Sequence, residues 1–268
     1  MIATRKVFIS STVDELNTER AYLYDQIKTL SNDYLLFEPY LSEIPKAFHF
    51  TEKDLSTLNS VNICLKKVRE CNYYVLVIKD DYKYSEEHDC SITELEYREA
   101  KALGKPIIVF ILNSENRKLM ATEFISRVSN EKWRFKVGDA DEMFKVLRDV
   151  LMNFDCSTFI SEYPSDCILI SKGGIFKKRW VIKNTGNQIW KNRYMKHIVP
   201  ATNMIPCHEK IEMPVIFPDE EYVFEIDYDV KKEGITHSRW KMYNENNEEC
   251  FPSELYKGLW FDVQVRNN

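Results

Sequence analysis

The chain has 268 residues, 44% hydrophobic and 29% charged, which is the balance of a folded globular protein and enough chain for two ordinary domains. Its formal net charge is −5, and the deficit lies in residues 1–163 (22 Lys+Arg against 27 Asp+Glu), while residues 164–268 balance at 15 of each. Neither part has the basic excess of a nucleic-acid binder, no apolar run approaches the ~20 residues of a membrane span, and seven cysteines without CxxC or Cys/His spacing argue against a zinc site or a disulfide framework.

The first residues run straight into a strand, so no signal peptide is expected, and the odd, unpatterned cysteine count fits a reducing, cytoplasmic setting. Lys6–Ser10 is that strand. Thr12 and Glu15 have capping-box spacing, and the helix continues through Val13, Leu16, Tyr22, Leu23, Ile27 and Leu30. A strand at Tyr34–Phe37 precedes a helix marked by Leu55, Leu58, Val61, Leu65 and Val68. Tyr73–Ile78 is a continuous apolar strand, as buried parallel strands are. Ser91 and Glu94 form a second capping box opening a helix that runs to Leu103. Strands at Pro106–Leu112 and Lys132–Val137 and a helix at Asp139–Met152 complete the alternation. Strand–helix alternation predicts an α/β doubly wound parallel sheet, with its ligand crevice beyond the carboxyl ends of the strands.

The pattern changes near residues 154–165, expected to be a linker between a first domain (1–153) and a second (166–268). Short β-rich segments follow: Cys167–Ser171, Arg179–Lys183, Ile211–Val215, Tyr222–Tyr228, His237–Tyr243 and Leu259–Val265. Turn signals such as Gly173-Gly174 and Asn184-Thr185-Gly186 separate them, which predicts an antiparallel β-sandwich. Only Gly104 and Gly138 fall in the first domain, so a dinucleotide fingerprint and a P-loop are both absent. There is no GxSxG and no HExxH, and His49 and His88 read as surface imidazoles.

On the helix after Ser91, Ile92, Glu96, Ala100 and Leu103 share one face, which sets the Glu96 carboxylate in the stripe that packs on the sheet; Glu94 points roughly the opposite way. A carboxylate there is costly unless solvated or paired, and such groups are often kept for chemistry. Two readings of Glu96 stand: a catalytic group, or a side chain that snorkels to the sheet edge beside a cation. Glu99 lies near the same stripe.

The opening Val7-Phe-Ile-Ser-Ser-Thr12, with Asp14-Glu-Leu16 and Glu19-Arg20, resembles the "FISST" opening of a TIR-like family of unknown function, often found in front of NACHT or other signalling ATPases. Tyr82, Ser91-Ile-Thr-Glu-Leu-Glu-Tyr97, Ala100 and Gly104-Lys-Pro106 are similar to a later block of that family. The resemblance spans about residues 4–153. It implies a relationship to Toll/interleukin-1 receptor (TIR) domains, where a Glu lies four residues before a small residue and eight before Gly-Lys; here these are Glu96, Ala100 and Gly104-Lys105. NAD-cleaving TIR domains use that Glu, and nucleoside deoxyribosyltransferases look similar there, with a Thr at the position of Thr93. The implied chemistry is cleavage of an N-glycosidic bond, with NAD as a substrate and no cofactor. A carboxylate suits it because the transition state is oxocarbenium-like. The Trp-Cys that usually precedes this Glu in TIR domains is absent.

Phe176-Lys-Lys-Arg-Trp180, Lys183-Asn-Thr-Gly186, Trp190, Ser238-Arg-Trp240 and Leu259-Trp260 resemble the four-tryptophan immunoglobulin-like domain of the autophagy receptor "next to breast cancer gene 1". That resemblance implies a binding module without catalysis, although most of these tryptophans are better placed in a core.

The catalytic candidate is therefore Glu96. Ser10, Ser11 and Thr12, where the first strand meets its helix, are candidates for a phosphate or ribose, with Thr12 also the N-cap. Asp81 and Tyr82 should rim the same crevice, with Tyr82 either stacking on a base or acting as a lid; Thr93 joins this set through the resemblance. The leading expectation is a TIR-like NAD glycohydrolase or related nucleotide N-glycosidase, an effector or signalling protein of prokaryotic anti-phage immunity. Its TIR-like half would self-associate, its sandwich would bind a protein partner, and neither nucleic acid nor membrane is a partner. The alternative is a non-catalytic TIR-like scaffold that assembles signalling complexes.

Overall fold

The computed structural model of the chain describes residues 2–41, 60–199, 203–251 and 258–267. The expected positions Leu55, Leu58 and His49 lie outside the described residues. The chain divides into two compact units, Met1–Leu151 and Met152–Asn268.

The first unit is α/β. Its strands are β1 (Ala3–Ser11), β2 (Ser31–Asn32), β3 (Leu35–Leu41), β4 (Tyr73–Ile78), β5 (Tyr84–Ser85), β6 (Cys90–Ser91), β7 (Ile107–Leu112) and β8 (Trp133–Val137). Its helices are α1 (Val13–Thr29), α2 (Ser60–Glu70), α3 (Ile92–Ala102), α4 (Leu119–Arg127) and α5 (Ala140–Met152). The main sheet has the order β2-β3-β1-β4-β7-β8. All neighbouring pairs from β3 to β8 are parallel, but the short edge strand β2 runs antiparallel to β3, so the sheet is mixed rather than wholly parallel as expected. β1 is flanked by β3 on one side and β4 on the other, so successive connections leave it in opposite directions and open a crevice at its carboxyl end.

Strand alternation decides which helix covers which face. Phe8, Tyr74, Leu76, Ile78, Val109 and Ile111 form one layer with Cys64 and Val68 of α2, Ala100 of α3 and Phe124 of α4. Val7, Ile9, Val75, Val77, Ile108 and Phe110 are buried on the other face. There α1 contributes Leu16, Leu23 and Ile27 and α5 contributes Met143, Leu147 and Leu151, and the two helices touch through an edge-on Tyr22–Phe144 pair. Helix α4 was not evident in the sequence, because its nine residues bury only Ala121 and Phe124, too few for a periodic signal.

The second unit is all-β: β9 (Ser157–Tyr163), β10 (Ile168–Ser171), β11 (Ile175–Asn184), β12 (Tyr194–Val199), β13 (Met204–Pro206), β14 (Lys210–Glu212), β15 (Glu221–Val230), β16 (Gly234–Tyr243) and β17 (Leu259–Arg266). Two sheets, β13-β15-β11-β9 and β10-β17-β16-β12-β14, enclose one core. The sandwich is not purely antiparallel, since β10 runs parallel to β17. Trp180, Trp190 and Trp240 are fully buried: Trp180 stacks on Phe224, and Trp190 donates its indole N–H to Asp155 at 3.0 Å. A polar chain crosses this core, from Trp240 Nε1 to Tyr228 OH at 2.6 Å, to Ser238 Oγ at 2.8 Å and on to His197 Nε2 at 2.9 Å.

Residues 154–165, expected as a linker, are part of this unit. β9 pairs with β11, and ahead of it the carbonyls of Phe154 and Cys156 accept from the backbone N–H groups of Asn187 at 2.7 Å and of Thr185 and Gly186 at 3.1 Å. The sequence signal was misleading because an edge strand contacts one sheet only and most of its side chains stay exposed. Among the described residues no helix is long and apolar enough to cross a membrane, and no group of His, Cys, Asp and Glu is arranged to hold a metal ion.

Gly186 tests how firmly the 154–156 segment is docked. A Cβ there would lie 2.6 Å from Cys156 N and 2.9 Å from Phe154 O, both backbone atoms that cannot step aside. Gly186→Ala should destabilise the second unit by about 2 kcal/mol or more in urea unfolding followed by tryptophan fluorescence. A change below about 0.5 kcal/mol would show that the segment is loosely held.

Candidate functional site

Ser10 is the last residue of β1 on the face that packs under α2 and α3; it pairs with Leu76 of β4, and its hydroxyl donates a short hydrogen bond to Glu96 Oε2. Helix α3 presents Glu96 there because Ser91 caps it, accepting from Glu94 N at 3.0 Å, and because Ala100 seats the next turn without a gap. Leu103 does not continue the stripe as expected. It is the C-cap, followed by Gly104 at φ 63°, and it lies 48% exposed.

Glu96 is 1% exposed, so it does not snorkel. Burial pushes its carboxyl up to about 7, against the opposing pull of Ser10, the Cys64 thiol, Arg20 and Lys67. Its Oε1 is buried without a hydrogen-bond partner among the described residues. Near neutral pH the group is therefore divided between acid and carboxylate, with one buried oxygen that no donor satisfies among the described residues.

Four further residues belong to this cluster, and the sequence reading assigned none of them to it. Arg20 occupies an apolar-stripe position of α1 and is 1% exposed. On α2, burial and then the Glu96 charge push the Cys64 thiol up to about 12, while desolvation lowers Lys67. Tyr74 is fully buried, and its hydroxyl is raised well above the usual range by burial and then by Glu96. The available signals were slight: an Arg within an apolar repeat, and a Cys and a Lys three apart on one helix.

Glu94, two residues earlier, faces the other side of α3 but is not in solvent. Its carboxylate takes Tyr82 OH, Arg127 Nη2 at 2.7 Å and Arg98 Nη2 at 2.8 Å. Burial alone would raise it, but these donors win and hold it below the usual range. The expected capping box is thus half formed, since the Ser91 N–H goes to Tyr82 OH at 3.1 Å and not to Glu94. The box expected at Thr12 also differs. Thr12 makes no side-chain cap and donates to Asp81 O at 3.2 Å, while Glu15 accepts from Asp80 N at 2.8 Å and Asp81 N at 3.1 Å.

The expected ligand residues are divided among three places. Ser10 joins Glu96. Thr12, Asp81, Tyr82 and Thr93 line a separate shallow cleft with Ser91 and Phe124, about 190 Å³ including space open to solvent. Tyr82 is only 6% exposed and edge-on to Phe124, so its ring presents no open face for stacking. Asp81 is paired with Lys118 at 2.9 Å, which holds its carboxyl below the usual range. Ser11 alternates away from Ser10, and its hydroxyl is buried without a partner. Glu99 is a surface partner of Arg69 at 2.6 Å, and Glu19 pairs with Lys79 at 3.9 Å rather than with Arg20.

Residues 6–152 match the family described as a domain of unknown function (DUF4062), and residues 165–265 match the Ig-like domain from next to BRCA1 gene. No curated protein matches the chain. Similar solved structures include the CARDB domain of the PF1109 protein from Pyrococcus furiosus, at 16% identity and TM-score 0.33 over 43% of this chain and 96% of that one. A Niemann-Pick type C2 protein from Japanese carpenter ant aligns at 13% identity and TM-score 0.27 over 42% of this chain and 97% of that one. A β-glucosidase from Listeria innocua aligns at 11% identity and TM-score 0.27 over 99% of this chain, which spans 46% of that enzyme.

The two glutamates should respond oppositely to neutralisation. Glu96 is raised from 4.5 to about 7, so the stability it contributes is complete below about pH 4.5 and is lost as pH rises through about 7. Glu96→Gln should therefore be more stable than wild type at pH 8, by about 1–3 kcal/mol, with the gap closing toward pH 5. Glu94→Gln should lose about 2 kcal/mol at pH 8, because it removes the charge held by two guanidinium groups. Urea unfolding at the two pH values checks both; a Glu96→Gln effect that does not change with pH would contradict the assignment.

Proposed function

The chain belongs, through residues 6–152, to the family of the domain of unknown function DUF4062, and on that premise we propose that its first unit is a TIR-like N-glycosidase that cleaves NAD or a related nucleotide. The carrying observation is Glu96, a buried carboxylate at the carboxyl edge of the sheet, held by Ser10 and with one oxygen unpartnered. Once ionised, this group stabilises positive charge developing at a ribose in a site from which water is excluded. The parallel strands follow the 2-1-3-4-5 order of flavodoxin-like sheets, which agrees with a TIR-like fold, and Glu96 lies beside the switch point where such sheets bind ligands.

In this reading the protein is a cytoplasmic effector or signalling protein of prokaryotic anti-phage immunity. The TIR-like unit self-associates and the sandwich engages a protein partner. Trp260 supports the partner role: it is 40% exposed beside His237 on the outer face of its sheet, unlike the three core tryptophans. One observation favours the second reading, a non-catalytic scaffold: the full burial of Glu96 means that substrate reaches it only after the site opens.

Incubating the full chain with NAD and following nicotinamide release tests the proposal. Wild type should release nicotinamide, and Glu96→Gln should lose activity by about 10²-fold or more while remaining folded. Full activity of Glu96→Gln would overturn Glu96 as the catalytic group, and no cleavage by the folded wild-type protein would favour the scaffold reading.

A further inference from the structure

The core positions of β11 run Phe176, Lys178, Trp180 and Ile182, so a lysine stands among the buried residues of this row. Its side chain is 1% exposed. The Nζ donates to Pro164 O, and it lies 2.9 Å from Glu162 Oε2 and 3.3 Å from Asp166 Oδ1. The rings of Trp180 and Phe261 stand 5.5 and 5.4 Å from it. Glu162 reaches it from β9, where it pairs with Trp180 of β11, and Asp166 reaches it from the turn between β9 and β10. One carboxylate would balance an ammonium, and a buried ion pair is often no more stabilising than apolar side chains of similar volume. Ion pairing alone is therefore weak ground for a lysine and two acids beside an aromatic core.

We propose that Lys178 and Asp166 condense in the folded chain to an amide, an internal side-chain cross-link, with Glu162 as the proton carrier. The ammonium and the carboxylate already touch, which replaces a chance encounter by an effective concentration of about 10⁵ M or more. Asp166 is also tuned toward the reactive form. Its carboxyl is pushed up by burial and then by the Glu162 charge, in spite of the ammonium beside it. That shift favours the acid, whose hydroxyl can leave. The step balances without an added reagent. Glu162 takes one proton from the ammonium and passes it to the Asp166 carboxylate. The freed amine attacks Asp166 Cγ, forming the C–N bond. Glu162 then moves a second proton from the nitrogen to the departing hydroxyl, the C–O bond breaks, and water leaves. Glu162 ends as the carboxylate it began as, so each chain reacts once and nothing turns over. Asp166 is 26% exposed, which gives that water an exit, while the buried nitrogen is shielded from hydrolysis. The bond would tie β11 of one sheet to the segment entering the other, since the N–H of Cys167, next in the chain, donates to Asp262 O of β17 at 2.8 Å.

Mass spectrometry of the intact, denatured full chain tests this. Wild type should be lighter than its sequence by one water. Tryptic mapping should place the loss in a branched peptide that joins Asp166 to Lys178, where trypsin no longer cuts. Lys178→Arg, which keeps the charge but not the amine, and Asp166→Ala should each have the full mass. Asp166 is partly exposed, so its replacement keeps the comparison valid if Lys178→Arg does not fold. Glu162→Gln should form the bond about 10²-fold more slowly, or worse, and be mostly unlinked when freshly purified. A folded wild-type chain at its full sequence mass, or a water loss that persists in Asp166→Ala, would overturn the inference and leave an ion cluster. Linking in Glu162→Gln as fast as in wild type would overturn its part as proton carrier.

Discussion

The contact between Ser10 and Glu96 governs the first unit, because it allows an ionisable carboxyl to sit inside a layer that is otherwise apolar. A carboxylate moved from water into such a layer is destabilising unless donors and opposite charges offset the lost hydration. Here the offset is partial. Ser10 donates, and the Cys64 thiol, Arg20 and Lys67 also favour the charged form, yet burial still prevails and the carboxyl is pushed up to about 7. That residual imbalance is what distinguishes Glu96 from a structural ion pair. Glu94, on the same helix and equally buried, has three donors and stays charged. Two carboxyls on one helix are thus pushed in opposite directions by their surroundings, Glu96 up and Glu94 down.

The second unit contrasts with this. The polar groups that Trp240, Tyr228, Ser238 and His197 bring into its core satisfy one another in a chain, so they specify packing rather than offer chemistry. Its three buried tryptophans fix the separation of the two sheets, and the fourth is left on the outside. Buried oxygens without a partner among the described residues occur in both units, with Asp227 Oδ1 and Thr236 Oγ1 in the second, so what sets the first unit apart is a buried carboxyl pushed toward its acid form, while the second turns one tryptophan outward. That division supports assigning chemistry to the first and partner binding to the second.

Much of this was legible in the sequence wherever a pattern repeats. The continuous apolar runs at Tyr73–Ile78 and Ile107–Leu112 became the central strands, and the Ser91 cap set the phase of α3 and so buried Glu96. Short elements and those with few buried positions were not legible: α4, β2 and β9 bury little, and β13 is only three residues long, so none leaves a period to read. Side-chain partners were the least legible. Capping-box spacing at Thr12 and Glu15 and at Ser91 and Glu94 is a local rule, and both glutamates instead answer to groups far away in sequence, the Asp80–Asp81 backbone and Arg127. Tyr82 was placed correctly after β4, but its burial against Phe124 depends on α4, which the sequence did not reveal. The cations around Glu96 come from α1 and α2, whose nearness to α3 is a property of the strand order rather than of any local signal.

Burial against Ser10 holds the Glu96 carboxyl between its acid and its charged form near neutral pH. Carbon-13 NMR of side-chain carboxyl-labelled glutamate in the full chain, titrated with pH, measures it directly, with Glu96→Gln supplying the assignment. One carboxyl should titrate near pH 7, be absent from Glu96→Gln and move higher in Ser10→Ala, which lacks the donor that favours the charged form. A Glu96 carboxyl that titrates at or below 4.5, or that does not respond to Ser10→Ala, would contradict it.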